Sequence, residues 1–301
     1  MDAIFDLFLP SGQIRLVGCP NERPNIFNWG DGPFVSRERQ RVTASPLNLN
    51  YRRWGTGPPL IILHGIFGST INWERIGEFL SREWTVFVLD LRNHGDSPHS
   101  PDFSFDALVE DVRWFMERHG IAKANILGHS LGGKTAMAFT DRFPELAETL
   151  IVVDIAPKPY PSGHGHMLKE LINFDLNPIG SLKEAVERLA PVIPSMAIRL
   201  FLLKNLVRGK DGRYHWKINL PAISRHYAEL SKGPRLNNVF LKSTLFIRGN
   251  ASEFIIDEDV GIIERFFPKF QMVTIDNAGH WLHVDQPEKT SEVIIDFLKT
   301  A

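Results

Sequence analysis

Residues 125–134 read NILGHSLGGK, and the chain continues TAMAFTDRF to position 143. Asn125-Ile126-Leu127 is a short apolar run that stops at Gly128. The stretch behind Gly132 has helix-forming composition. A strand, a tight turn and a helix in that order place Ser130 in the turn between them. A serine held in a strained turn needs small neighbours, because side chains beside it would collide. Gly128, Gly132 and Gly133 meet that need. Such a turn lifts the hydroxyl above the sheet edge. The helix behind it aims N–H groups and a positive dipole end at the same point. Ser130 is therefore the candidate nucleophile, and the N–H of Leu131 a candidate donor to an oxyanion. A glycine-rich turn with a solvent-facing serine shares the bare G-x-S-x-G pattern, and the strand before it and helix after it separate the two.

Outward from this turn, short apolar runs alternate with amphipathic stretches, the pattern of a mostly parallel sheet flanked by helices. The runs are Leu60–Leu63, Thr85–Leu89, Thr149–Val153, Thr244–Ile247 and Met272–Ile275. Ser104 caps a helix whose Phe105, Leu108, Val109, Val112 and Met116 share one face, with Gly120 at its end. Pro287 to Lys299 reads as a closing helix. Residues 157–240 carry helical patterns such as Leu182–Leu189 but no convincing strand, and are too long for a loop. They are read as an inserted helical cap on an α/β core made of 1–156 and 241–301. Residues 1–45 form an N-terminal extension, with at most a strand pair leading into the sheet.

A serine hydroxyl is a weak nucleophile without a base. The base is expected late in the chain, on the edge where strand C-termini gather. Asn277-Ala278-Gly279-His280-Trp281 lies there, between the last strand and the last helix. His280 is the candidate base, and His283 is read as a helix-edge or supporting residue. Activity should then rise with pH as His280 loses its proton. The loop after the first buried strand, His64-Gly65-Ile66-Phe67-Gly68, should supply a second oxyanion donor. The N–H of Ile66 is preferred over that of Phe67, and His64 is read as a structural histidine bonded to backbone.

Composition narrows the classes. The formal net charge of -1 gives no reason to expect a nucleic-acid or anionic-membrane partner. The single cysteine, Cys19, rules out an internal disulfide. The start MDAIFDLFLP carries acids where a secretory signal carries Lys or Arg, and no window of 18 apolar residues occurs. A soluble, cytoplasmic enzyme with a small-molecule substrate, no cofactor and no metal is expected. His164 and His166 sit in a glycine-flanked stretch without a third ligand and read as a flexible cap loop.

HGIFGS (64–69), DLRNHGDSP (90–98), GHSLGGK (128–134), DIAP (154–157), IRGN (247–250) and NAGHWLH (277–283) occur in that order. Together they resemble the small bacterial esterase branch of the α/β-hydrolase superfamily, over about residues 47–299. The resemblance implies the α/β-hydrolase fold and cleavage of short- to medium-chain carboxylic esters or thioesters through an acyl-enzyme. It also bears on the acid that orients the base. Most of the superfamily places an Asp a few residues after the Gly that is Gly249 here. This chain reads Gly249-Asn250-Ala251-Ser252-Glu253, with serine at that position. The resembled branch instead uses an Asp at the end of the strand after the nucleophile helix, which is Asp154 here, with Glu253 and Asp276 the alternatives.

In that family the Asp90, Arg92, His94 and Asp96 stretch is a structural loop. Asn93 is a contact to substrate or cap, and Lys134 a surface or supporting residue. Phe174, Leu200, Phe201, Leu202, Leu203, Trp216 and Tyr227 are read as pocket wall or cap core. The same site can also serve C–C bond hydrolysis, acyl transfer or perhydrolysis, and the same fold can serve as a ligand receptor. Dehalogenases and epoxide hydrolases fit less well, since those relatives carry Asp where Ser130 stands.

Overall fold

The computed structural model describes residues 45–161 and 164–301. The N-terminal strand pair expected within 1–45, and Cys19, lie outside the described residues. The chain runs β1 (Tyr51–Trp54), β2 (Pro59–Leu63), α1 (Glu74–Leu80), β3 (Thr85–Leu89), α2 (Phe105–Arg118), β4 (Ala124–His129), α3 (Leu131–Arg142) and β5 (Ala147–Val153). The insertion follows, with α4 (His164–Asn173), α5 (Leu182–Leu189), α6 (Met196–Leu203), β6 (Leu206–Arg208), β7 (Tyr214–Trp216) and α7 (Leu220–Lys232). The core resumes with β8 (Thr244–Gly249), α8 (Val260–Phe266), β9 (Phe270–Ile275), α9 (Leu282–Asp285) and α10 (Pro287–Thr300).

Seven strands form one sheet in the order β1-β3-β2-β4-β5-β8-β9. β1 runs antiparallel to β3 and the other pairs are parallel. A sheet covered on both faces needs strands apolar on both sides, and β2 shows it. Ile61 and Leu63 enter the core under α2 and α3, while Leu60 and Ile62 enter a second core with Ile76 of α1 and Ile294 of α10. Each set buries apolar area worth about 25 cal/mol per Å².

α2 begins where Ser104 Oγ accepts the Ala107 N–H and ends before Gly120, at φ +63°. The β6–β7 hairpin corrects the reading of 157–240 as strandless. Strands of three residues carry too little alternation to show in sequence. A second correction concerns the loop expected around His164 and His166: α4 already starts at His164, and His166 Nδ1 lies 3.4 Å from Glu170 Oε1 one turn on.

Candidate active site

β4 delivers Ser130 at the C-terminal edge of the sheet, and α3 starts with the next residue. Its backbone sits at φ 52°, ψ -115°, outside the ordinary regions for a residue with a side chain. Close packing enforces the bend. A Cβ on Gly132 would stand 2.1 Å from the Leu63 carbonyl, and one on Gly128 2.2 Å from that of Gly132. The Ser130 side chain makes no capping bond to α3, so its hydroxyl is left to the cavities. The residue is 7% exposed.

His280 lines a narrow cavity together with Ser130, Gly65, Ile66, His129 and Phe201. Its Nδ1 lies 2.8 Å from Asp154 Oδ2, and Phe254 stacks on the ring with centroids 3.8 Å apart. Nδ1 donates to the carboxylate, which leaves Nε2 as the basic nitrogen. Asp154 is 0% exposed and follows the last residue of β5. Its φ of 53° turns the side chain back over the sheet edge. Oδ2 also accepts the hydroxyl of Ser252, and Oδ1 the Gly249 N–H at 3.3 Å. Ser252, at the position where an acid was expected by analogy, thus supports the acid. Glu253 is exposed on the rim of another cavity, and Asp276 accepts from Asn250 at 3.2 Å. Of the three candidate acids, only Asp154 is bonded to His280 among the described residues.

The turn from Gly65 to Gly68 closes with a 3.0 Å bond between Gly68 N–H and Gly65 carbonyl. Phe67 sits at φ 63°, and its N–H donates to His94 Nε2 at 3.3 Å. The Phe67 N–H is thus engaged, and Ile66 lines both cavities that Ser130 lines. His64 locks the turn from below, with Nδ1 donating to Gly65 O and Nε2 accepting from Leu91 N–H. The 90–98 stretch is tied to the segments around it: Asp90 accepts from Thr70 N–H and Asn50, and Arg92 is buried against Asp111 at 2.6 Å. Asn93 meets the insertion through Asn219 at 2.9 Å.

Two residues were under-read from sequence. His129 donates Nε2–H to the His280 carbonyl at 2.8 Å and so holds the loop that carries His280. Its signal was its place beside Ser130 in the G-x-S-x-G pattern. Lys134, expected at the surface or in support, is 6% exposed and lines a cavity of about 350 Å³ with Ser130, Leu131 and Ile66. α7, nearly a hundred residues later, covers it through the Leu230 and Ser231 carbonyls. The aromatic and apolar set divides: Phe201 and Leu202 line the narrow cavity and Tyr227 the larger one. Phe174 packs on Trp216, and Leu203 is buried in the core. Leu200, at 53% exposed, is neither pocket wall nor core.

The histidines around the site carry a stability consequence. Burial pushes His94 and His283 down to about 3, and it lowers His64 and His129 as well. For His94 and His283, between about 3 and the unfolded value of about 6.5, the unfolded chain binds a proton and the folded one does not. Stability is therefore complete above about pH 6.5. It falls by about 1.4 kcal/mol per pH unit for each such histidine as pH drops below that. His283 stacks on Trp73 at 4.5 Å. His283→Phe keeps the stack and should flatten the slope between pH 6.5 and 5, read by urea unfolding, by about 1.4 kcal/mol per unit. An unchanged slope would mean that His283 is protonated in the fold.

No helix among the described residues is long and apolar enough to cross a membrane. A family profile described as "alpha/beta hydrolase fold" matches residues 58–190. The sn-1-specific diacylglycerol lipase of Danio rerio is 36% identical over 268 residues, covering 85% of this chain and 84% of the relative. A putative esterase/lipase of Haemophilus influenzae is 33% identical over 283 residues, covering 91% and 95%. Among solved structures, a marine microorganism esterase superposes with a TM-score of 0.81 at 38% identity, over 83% of this chain and 99% of its own.

Proposed function

The chain belongs to the α/β-hydrolase family and is a carboxylic ester hydrolase, and from that premise we propose that it is a serine esterase acting on short- to medium-chain esters or thioesters through an acyl-enzyme on Ser130. The observation that carries this reading is the 2.8 Å bond between His280 Nδ1 and Asp154, with His280 and Ser130 lining one cavity.

In the first step Ser130 Oγ bonds to the ester carbonyl carbon and its proton passes to His280 Nε2. The negative oxygen is held by the N–H groups of Leu131 and Ile66, with the start of α3 behind the first. The carbon–oxygen bond to the alcohol then breaks, and His280 gives its proton to the leaving oxygen. A water deprotonated by His280 attacks the acyl-enzyme, and the acid leaves as Ser130 regains its proton. Asp154 stays ionised throughout and stabilises the imidazolium.

His280 must reach the leaving oxygen, so the alcohol departs on the side of the site that His280 lines. The acyl chain belongs in the larger cavity, about 350 Å³ and bounded by Ile155, Tyr160, Tyr227 and Leu230. A space at the small end of ligand pockets suits a short to medium acyl chain. Hydrolysis of p-nitrophenyl esters from acetate to palmitate should show an optimum among short to medium chains. A fluorophosphonate probe should add to one residue, Ser130, as read by peptide mass. A palmitate optimum would put the acyl chain elsewhere. Labelling at another residue, or no turnover at any length by the folded protein, would overturn the mechanism.

A further inference from the structure

The acyl cavity holds a cation that the acyl-transfer chemistry leaves idle. Lys134 stands in the first turn of α3 and lines the same cavity as Ser130, and helical side chains lean toward the N-terminus. Its Nζ donates to the carbonyls of Leu230 at 2.9 Å and Ser231 at 3.2 Å, near the C-terminal end of α7. It also stands 4.7 Å from the centre of the Tyr160 ring. An ammonium has three protons. Two are taken by these carbonyls, which leaves one for a ligand in the cavity that Lys134 helps to line.

No carboxylate among the described residues pairs with it, and burial alone holds it down to about 8. The neighbouring charges lie elsewhere. Glu253 is exposed on the cavity rim. Lys158 sits 5.3 Å from the centre of the Tyr160 ring and is paired with Asp259 at 2.6 Å. The Tyr160 hydroxyl donates to the Phe254 carbonyl at 2.6 Å, and Tyr227 closes the wall. A desolvated ammonium held only by dipoles and a ring gains most from an anion that arrives with a ligand.

We propose that Lys134 is a specificity-determining residue, and that it selects acyl groups ending in a carboxylate, the half-esters of short dicarboxylic acids. The carboxylate takes the free side of the ammonium while the ester carbonyl sits at Ser130. Glu253, at the rim, opposes the incoming anion. This inference rests on the esterase reading, and on the acyl chain occupying the larger cavity.

The test compares kcat/KM for monoethyl glutarate with that for ethyl pentanoate, of the same chain length, by following acid release. At pH 7 the wild type should favour the half-ester by about tenfold or more, the scale of one charge-assisted contact. Lys134→Met keeps the length and removes the charge, and should lower that ratio by about tenfold, chiefly through KM. Glu253→Gln should raise it. In the wild type the ratio should fall from pH 7 to 9 as Lys134 loses its proton, a readout that needs no variant should Lys134→Met fail to fold. A wild-type preference for ethyl pentanoate, or equal ratios in the wild type and Lys134→Met, would overturn the proposal.

Failure of the esterase reading is a distinct result: no ester of any kind is turned over. The anion site is then read by calorimetry with glutarate. Binding at pH 7 that weakens at pH 9 supports Lys134, and no binding at millimolar glutarate sinks it.

Discussion

Ser130→Ala should lower kcat for a p-nitrophenyl ester by about 10⁵- to 10⁶-fold, the scale seen when the serine of a comparable hydrolase is removed. The size follows from the mechanism. On the proposed mechanism no acyl-enzyme forms without Oγ, and what remains is water attack assisted by the Leu131 and Ile66 N–H groups. The variant should fold as the wild type does. The Ser130 side chain makes no bond to α3, and the backbone bonds of the turn, Ser130 N–H to Val153 at 3.1 Å and Lys134 N–H to Ser130 at 2.9 Å, are untouched by the change. Steady-state kinetics beside a thermal melt decide it. A folded variant that keeps even a thousandth of the wild-type rate would point to another nucleophile.

The parts of this architecture that showed in sequence are those with a local cause. A serine cap and a terminal glycine bracket α2, and buried strands such as β2 and β3 read as uninterrupted apolar runs because both their faces are covered. β1 was missed because an edge strand reading YRRW presents arginines to solvent and has no apolar run to notice. The β6–β7 hairpin was missed because each strand has three residues. In the site, Ser130 and His280 each announce themselves through a glycine turn at the end of a strand. Asp154 does not. Its role depends on β5 lying between β4 and β8, so that its carboxylate meets a loop more than a hundred residues later. Family likeness pointed there, while residue types alone left Glu253 and Asp276 open.

Lys134 shows the opposite failure. A lysine one turn into a helix is usually solvated, and nothing near it in the chain says otherwise. What buries it is the end of α7, placed over it by the insertion. A still longer stretch of sequence separates Asn205 from the Phe67 carbonyl, which its Nδ2 reaches at 2.8 Å in the turn after β2. The insertion therefore finishes both ends of the site, and features that depend on it are invisible to periodicity and spacing.

Asp154→Asn should lower kcat by about 10⁴-fold, the cost found when the acid of a serine triad is made an amide. The surroundings give the reason. The Gly249 N–H is fixed at the end of β8 and donates to Oδ1, so the amide oxygen settles on that side. The amide NH₂ then faces His280 Nδ1. It donates where the carboxylate accepted, the imidazole must carry its proton on Nε2, and Nε2 can no longer take the proton of Ser130. The Ser252 hydroxyl can turn to accept from the amide, and asparagine tolerates φ 53°, so the fold is preserved. Glu253→Gln, on the rim, should change kcat for a neutral ester by less than about threefold, since it touches no reacting atom. If the Glu253 change costs more than the Asp154 change, Glu253 is the acid. A second substitution sharpens the case. Ser252 already bonds the oxygen that His280 uses, so Ser252→Asp brings a carboxylate close to Nδ1 by the route expected of most of the superfamily. In the Asp154→Asn background it should recover about ten- to a hundredfold of kcat. No recovery, in a folded protein, would mean that position 252 supports the acid in this chain but stands too far from the imidazole to replace it.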